Sequence, residues 1–229
     1  MEHKWLGAGL LAMGVVGLCT LVAGPGGAER TVTAAVTVAA GDVVELPEAP
    51  RGGGMGVYGA LGMRASARDF AGGAIGPETW SRLLWAACGV NRTDGRWTIP
   101  TALNRRDLRV YVLDAAGVWR YDPEAHALVC RAAGDWRAVS GAQPYVAEAA
   151  ANLVYVAVPP EGKGRRGARE AWVRCAAFEA GCAAQGVALA CASEGLKNVV
   201  RGSYPEAELR AVLGLAEDEI ILMAQSVGP

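Results

Sequence analysis

Histidine is nearly absent, with two residues in 229, His3 and His126. A zinc centre with histidine ligands therefore has no ligand set, and a hydrolytic triad built on histidine has no base to spare. His126 falls in Asp122-Pro123-Glu124-Ala125-His126, a hairpin-turn sequence, and is assigned no catalytic role. No CxxC pair occurs either. Beyond Cys19 the cysteines are Cys88, Cys130, Cys175, Cys182 and Cys191, an odd set that does not read as a disulfide framework. Cys175 and Cys182, seven residues apart, share one helix face and read as small buried hydrophobes. Charge of one sign is lacking too. Lys and Arg number 22 against 23 Asp and Glu, which removes the electrostatic footprint of a nucleic-acid binder. The densest basic cluster, Lys163, Arg165, Arg166 and Arg169, sits in a Gly-rich stretch that reads as a solvated loop. There is no internal repeat and no low-complexity tract.

What is present suits one globular domain. Hydrophobic residues make up 52% and charged residues 20%, an ordinary folded balance. Residues 1–28 stand apart. A short polar start precedes the uncharged run Trp5 to Ala23, and Gly26-Gly27-Ala28 supplies small residues for cleavage. The pattern is that of a signal peptide; the run is also nearly long enough for an uncleaved membrane anchor. Leu18 before Cys19 stands where a lipoprotein signal needs a small residue. Either way the folded part is expected outside the cytoplasm, periplasmic or otherwise extracytoplasmic. Residues 29–54, rich in Ala, Val, Pro and Gly, read as an extended arm, and residues 55–229 as the domain.

Periodicity then places the elements. Met55 to Met63 has helical spacing. Pro77 opens a second helix with Glu78 at its positive end and a stripe of Trp80, Leu83, Leu84 and Ala87, closed at Cys88-Gly89. Leu108 to Leu113 is a strand, Gly117 to Asp122 starts a hairpin, and Leu128 to Cys130 returns it. Gln143 to Ala151 looks helical. Asn152 to Val158 is nearly continuous and β-branched, as a strand covered on both faces should be. Arg169 to Glu194 forms the longest helix, its many small residues suited to close packing. Val199-Val200 is extended, Pro205 to Leu213 a helix, and Glu219 to Val227 the last strand. The class is α+β, with helices and strands interleaved without regular βαβ alternation.

Five blocks resemble the FMN-dependent nitroreductase family, in family order. Arg64-Ala65-Ser66-Ala67-Arg68-Asp69-Phe70 resembles its opening Arg-x-Ser-x-Arg-x-Phe. Leu84-Trp85-Ala86-Ala87-Cys88-Gly89-Val90-Asn91-Arg92 is similar to the segment closing its second helix, and Ile99-Pro100-Thr101-Ala102-Leu103-Asn104 to its Pro-Ser-Ala-x-Asn loop. Ala192-Ser193-Glu194-Gly195-Leu196 with Val199-Val200-Arg201-Gly202 matches its Gly-Leu turn, and Ile221 to Pro229 its last strand. The small exported members share the arm before the first helix.

The resemblance implies a nitroreductase-like fold with a mixed central sheet, dimeric about a long central helix, and FMN held at the homodimer interface by residues of both chains. Arg64, Ala65, Ser66 and Arg68 would serve the phosphate and ribityl chain; Arg offers a fork of donors suited to phosphate and Ser a short hydroxyl. Residues i, i+2 and i+4 of an extended segment share one face. Asn104 would bond the pyrimidine edge of the ring. Arg106 would stabilise negative charge near N1 and O2. The backbone of Val200, Arg201 and Gly202 would pass near N5, Gly202 allowing close approach. No side-chain catalyst and no metal is implied. The flavin would pass electron pairs through N5 from NAD(P)H or another donor to a small acceptor such as a nitro compound or quinone. Two other functions are compatible with these residues: an FMN-dependent oxidase, as related azoline oxidases are, and an exported dimeric binding module that has lost its flavin. Three positions depart from the family pattern. Gly186 follows Gln185 where Asn is usual, Asp107 replaces a common Pro or Glu, and the basic tail that often follows the last strand has no counterpart after Pro229, which puts more weight on Arg64 and Arg68.

Overall fold

The seven strands that make the domain's sheet are β1 (Val43–Glu45), β2 (Leu108–Asp114), β3 (Gly117–Asp122), β4 (Ala127–Ala133), β5 (Ala151–Ala157), β6 (Lys197–Arg201) and β7 (Ile220–Gly228). They lie in the order β1-β4-β3-β2-β5-β7-β6, and each neighbouring pair is antiparallel. The computed structural model describes residues 38–49, 51–159 and 166–229, with the backbone of the short strand segments Trp5–Leu6, Gly17–Cys19 and Val32–Ala34. Trp5–Leu6 runs parallel beside β1. Most of the expected leading segment, the first part of the arm, and Lys163 and Arg165 lie outside the described residues; Arg166 and Arg169, read as part of the same loop, belong instead to the first turns of the long helix Arg166–Ser193.

β5 is an interior strand of the sheet, between β2 and β7. All seven of its residues are buried. Leu153 and Tyr155 face one hydrophobic cluster, and Val154 and Val156 face the other. Alternate side chains of a strand point to opposite faces, so a strand covered on both must be apolar throughout. The helices supply the two covers. On one face lie α2 (Pro77–Cys88) and α4 (Arg166–Ser193); on the other lies α5 (Glu206–Leu213), through Leu209 and Leu213. Two further helices, α1 (Val57–Met63) and the single turn α3 (Tyr145–Glu148), flank the sheet. In α2 the predicted stripe of Trp80, Leu83, Leu84 and Ala87 is buried, with Leu83 and Leu84 fully inaccessible. Burial of each such leucine contributes roughly 1.5–3 kcal/mol.

α4 contacts α2 at unusually short range. A Cβ placed on Gly186 would lie 2.4 Å from the Ala86 carbonyl oxygen, so glycine is what lets the two backbones meet. The departure seen at Gln185-Gly186 is thus a packing device. Two boundaries differ from expectation. The segment Gln143 to Ala151 yields one helical turn, because Ala151 is already paired with Asp114 and Val227 as the first residue of β5. The second half of the arm is docked as strand β1 against β4, with Val38, Val43, Val44 and Leu46 buried. Pro and Gly on either side conceal that strand from a periodicity search.

Candidate functional site

The Arg-x-Ser-x-Arg segment leaves α1 as extended chain and is clipped to the outer edge of β6. Ser66 forms an isolated parallel bridge with Asn198, and the Ala67 N–H donates to Asn198 O at 2.9 Å. Ala65, Ser66 and Arg68 are exposed and Arg64 is half-buried. Among the described residues neither arginine has a carboxylate partner or an intramolecular side-chain hydrogen bond. Asp69, the obvious candidate to neutralise them, is held by Lys197, whose Nζ donates to Asp69 Oδ2 at 3.1 Å and to its carbonyl. That Lys197 hydrogen bond lowers the Asp69 carboxyl below its ordinary value. Two arginines therefore stand on a segment beside a sheet edge with no side-chain partner among the described residues.

β6 is the terminal strand of the sheet. Beyond the Ser66–Asn198 bridge its outer edge has no strand partner among the described residues. Val200 is exposed and Gly202 follows it in the open. A strand edge of this kind presents backbone N–H and C=O groups ready to bond a flat ligand. Arg201, between them, turns the other way. Its side chain is buried at 7% exposure and donates to Ser140 O, to Ser140 Oγ (3.0 Å), to Asn152 Oδ1 (2.8 Å) and to Ser226 Oγ (3.3 Å). All are neutral acceptors, and burial lowers its pKa to about 10. Gly141 clears the space: a Cβ there would lie 2.4 Å from Arg201 Nη1.

Asn104 and Arg106 are elsewhere. They precede β2, whose first residue Leu108 pairs with Ala157, whereas Asn198 pairs with Val227 and through it with Ala151. The two groups thus lie at opposite ends of the sheet, roughly 20 Å apart along the strands and three strands across. Asn104 is exposed, and the loop holding it is left-handed at Leu103 (φ 54°), Asn104 (φ 56°) and Arg106 (φ 58°). For non-glycine residues such a run is strained and needs support. Support comes from Glu179 of α4, which is 2% exposed and accepts the Ala102 N–H at 2.9 Å. Burial raises the Glu179 carboxyl above its ordinary value. Arg106 has partners within the chain. It pairs with Glu124 at 2.7 Å, and its Cζ stands 5.9 Å from the Trp97 ring. Glu179, Lys197 and the inward turn of Arg201 were missed from the sequence. The odd placement of Asn152, Gln225 and Ser226 inside apolar strands was the available signal of a buried polar network.

His126 is structural. Tyr121 OH lies 2.8 Å from its Nδ1, and Ser81 Oγ lies 2.8 Å from its Nε2. Ser81 OH also donates to Pro47 O at 2.7 Å. The network closes if neutral His126 carries its proton on Nε2 and accepts from tyrosine. Burial lowers its pKa from 6.5. A histidine kept neutral in the fold adds stability above its unfolded pKa, and that stability is lost as pH falls through 6.5 toward the folded value. The urea midpoint of the wild-type chain should therefore drop between pH 7.5 and 5.5 by more than that of His126→Gln. Equal drops in both would remove His126 from the account.

An antiparallel sheet covered by a long helix, with an extended Arg-Ser-Arg segment clipped to its last strand, defines the α+β nitroreductase fold. The chain belongs to the nitroreductase family, whose profile matches residues 61–229. A crystal structure from Ralstonia eutropha assigned as a nitroreductase is 36% identical, with 81% of this chain and 88% of that one aligned at a TM-score of 0.73. A Methanocaldococcus jannaschii protein assigned as a nitroreductase is 28% identical over 169 residues, 70% of this chain and 85% of its own length. A Desulfovibrio desulfuricans structure in complex with FMN shares the fold at 20% identity and a TM-score of 0.53, over 75% of this chain and 84% of that one.

Proposed function

We propose that this chain is an exported FMN-dependent oxidoreductase acting as a homodimer. Flavin, when bound, supplies two-electron chemistry, taking electrons from NAD(P)H or another donor and delivering them to a small acceptor such as a nitro compound or quinone. Family membership supports an oxidoreductase, and the FMN complex of the Desulfovibrio relative supports the cofactor. The observation that carries the reading is the pair of guanidinium groups, Arg64 and Arg68, without an intramolecular partner among the described residues, on the segment clipped to the edge of β6.

The residues fit the cofactor in two halves. Arg64, Ser66 and Arg68 would hold the phosphate by charge-assisted hydrogen bonds, and the free edge at Val200 to Gly202 would lie along the ring. Asn104, at the far end of the sheet, would serve the partner's flavin. The distance between the halves within one chain is itself an argument for a second copy. So is the apolar surface left uncovered. Val57, Tyr58, Leu61 and Met63 of α1 are exposed, as is Phe178 of α4 beside a groove lined by Ala177, Gly181, Cys182 and Leu189. A patch of this kind marks an association surface.

Purified full-length chain is expected to be a dimer and to carry a flavin absorbance spectrum, with one FMN released per chain on denaturation. A colourless protein that takes up no added FMN would overturn the enzyme reading and leave a binding module. Turnover by NADH and NADPH, and peroxide formed in air, then separate the reductase from the oxidase. Export is checked by fractionation of cells making the chain with and without residues 1–28.

A further inference from the structure

A bare cation buried under the open edge of β6 is an expensive feature. Among the described residues Arg201 has four hydrogen bonds, all to Ser140, Asn152 and Ser226, and none to a carboxylate. Moving an unneutralised guanidinium out of water costs several kcal/mol even when its donors are satisfied. An apolar or amide side chain could fill the same space at lower cost. Three separate elements are instead shaped to hold the charge. The 3₁₀ turn Arg137–Ser140 brings a carbonyl and a hydroxyl, β5 brings Asn152, and β7 brings Ser226. Ser226 OH donates in turn to Asn152 Oδ1 at 2.6 Å, so the acceptors are fixed among themselves. Gly141 is kept bare to admit the group.

We infer that Arg201 acts through space, its buried charge favouring the reduced, negatively charged form of FMN over the oxidised neutral ring along Val200 to Gly202. This rests on the placement of flavin at that edge. The guanidinium touches no ligand: its donors are directed to protein acceptors, on the face of β6 opposite Val200. A charge fixed in a low-dielectric interior is felt farther than the same charge in water, and it costs no reorganisation when the ring gains electrons. The sequence pattern Val-Val-Arg-Gly thus combines two functions, an exposed backbone edge for the ring and a cation beneath it.

The test compares binding of oxidised and reduced FMN by full-length dimer, with the wild type, Arg201→Gln and Asn152→Asp. Asn152→Asp keeps Arg201 and the Oδ1 acceptor and sets a carboxylate against the guanidinium, which cancels the field without removing the side chain, at the loss of the Asn152 Nδ2 donation to Val146 O. Both variants should bind oxidised FMN within about threefold of wild type and reduced FMN at least tenfold more weakly, a midpoint potential lower by about 30 mV for a two-electron couple. Arg201→Lys should stay close to wild type. If either variant folds, holds FMN and keeps the wild-type ratio of affinities, Arg201 is only a structural arginine and the inference fails. If the wild type itself binds no FMN in either form, the functional reading fails first, and the inference with it.

Discussion

Replacing Arg64 and Arg68 together by alanine is expected to yield a folded, colourless protein with FMN affinity at least a hundredfold weaker. The fold should survive because neither side chain is engaged in it; among the described residues the segment is held by backbone, through the Ser66–Asn198 bridge and the Ala67 to Asn198 hydrogen bond. The ligand should not. A hydrogen bond to a charged group contributes about 1.5–3 kcal/mol, so two such donors lost from a phosphate sum to about 3–6 kcal/mol. Each 1.4 kcal/mol is tenfold. Because Arg68 is exposed, solvent screening favours the lower end, which still gives about a hundredfold. Replacement by two lysines should recover part of the affinity, since charge remains while the planar fork is lost. Equilibrium binding followed by flavin fluorescence measures all three proteins. Full flavin occupancy in the double alanine variant, with unchanged dissociation, would move the phosphate site elsewhere.

Much of this scaffold was visible in the residue order, for reasons that differ between elements. β5 announced itself because every one of its side chains is buried, and α2 because burial recurs at every third and fourth. The arginine segment was visible through its resemblance, and the structure adds why it is available: Asp69 is occupied by Lys197, a pairing across 128 residues that no local pattern contains. Arg201 was expected to matter through its backbone alone. Which way a strand residue points depends on the register of β6 against β7, where Arg201 faces Ala224, and register is a tertiary fact. Arg106 was expected to stabilise negative charge at the ring edge; its pairing with Glu124, from the β3–β4 turn, could not be read from the sequence. Glu179 shows the same limit, since its partner is a backbone N–H 77 positions away.

Gly186→Val should cost about 2 kcal/mol, and it tests the packing that the long helix imposes on the rest. The contact is with backbone, not with a side chain that could rotate aside. Cβ at position 186 would lie 2.4 Å from Ala86 O and 3.2 Å from its carbonyl carbon. Either α4 or α2 must therefore retreat. α2 cannot do so alone, because Leu83, Leu84 and Ala87 are fully buried. Forcing extra methyl groups into a packed contact costs typically about 1–3 kcal/mol. Replacing a helical glycine gains back part of that, less for β-branched valine than for alanine, which recovers about 1 kcal/mol. Valine is thus the severe case and alanine the mild one. At this chain length each kcal/mol moves Tm by about 2–4 °C, so Gly186→Val should melt roughly 4–8 °C below wild type. Gly181 on the same helix supplies the contrast, since a Cβ there meets nothing within 4 Å of the chain's own atoms. Gly181→Ala should leave the melting temperature of the separated chain unchanged or raise it slightly. If it weakens the proposed dimer instead, the face of α4 holding Gly181 is the one a second copy covers. If Gly186→Val melts with the wild type, the two helices are not locked at this crossing, and the close contact between α2 and α4 is not a determinant of stability.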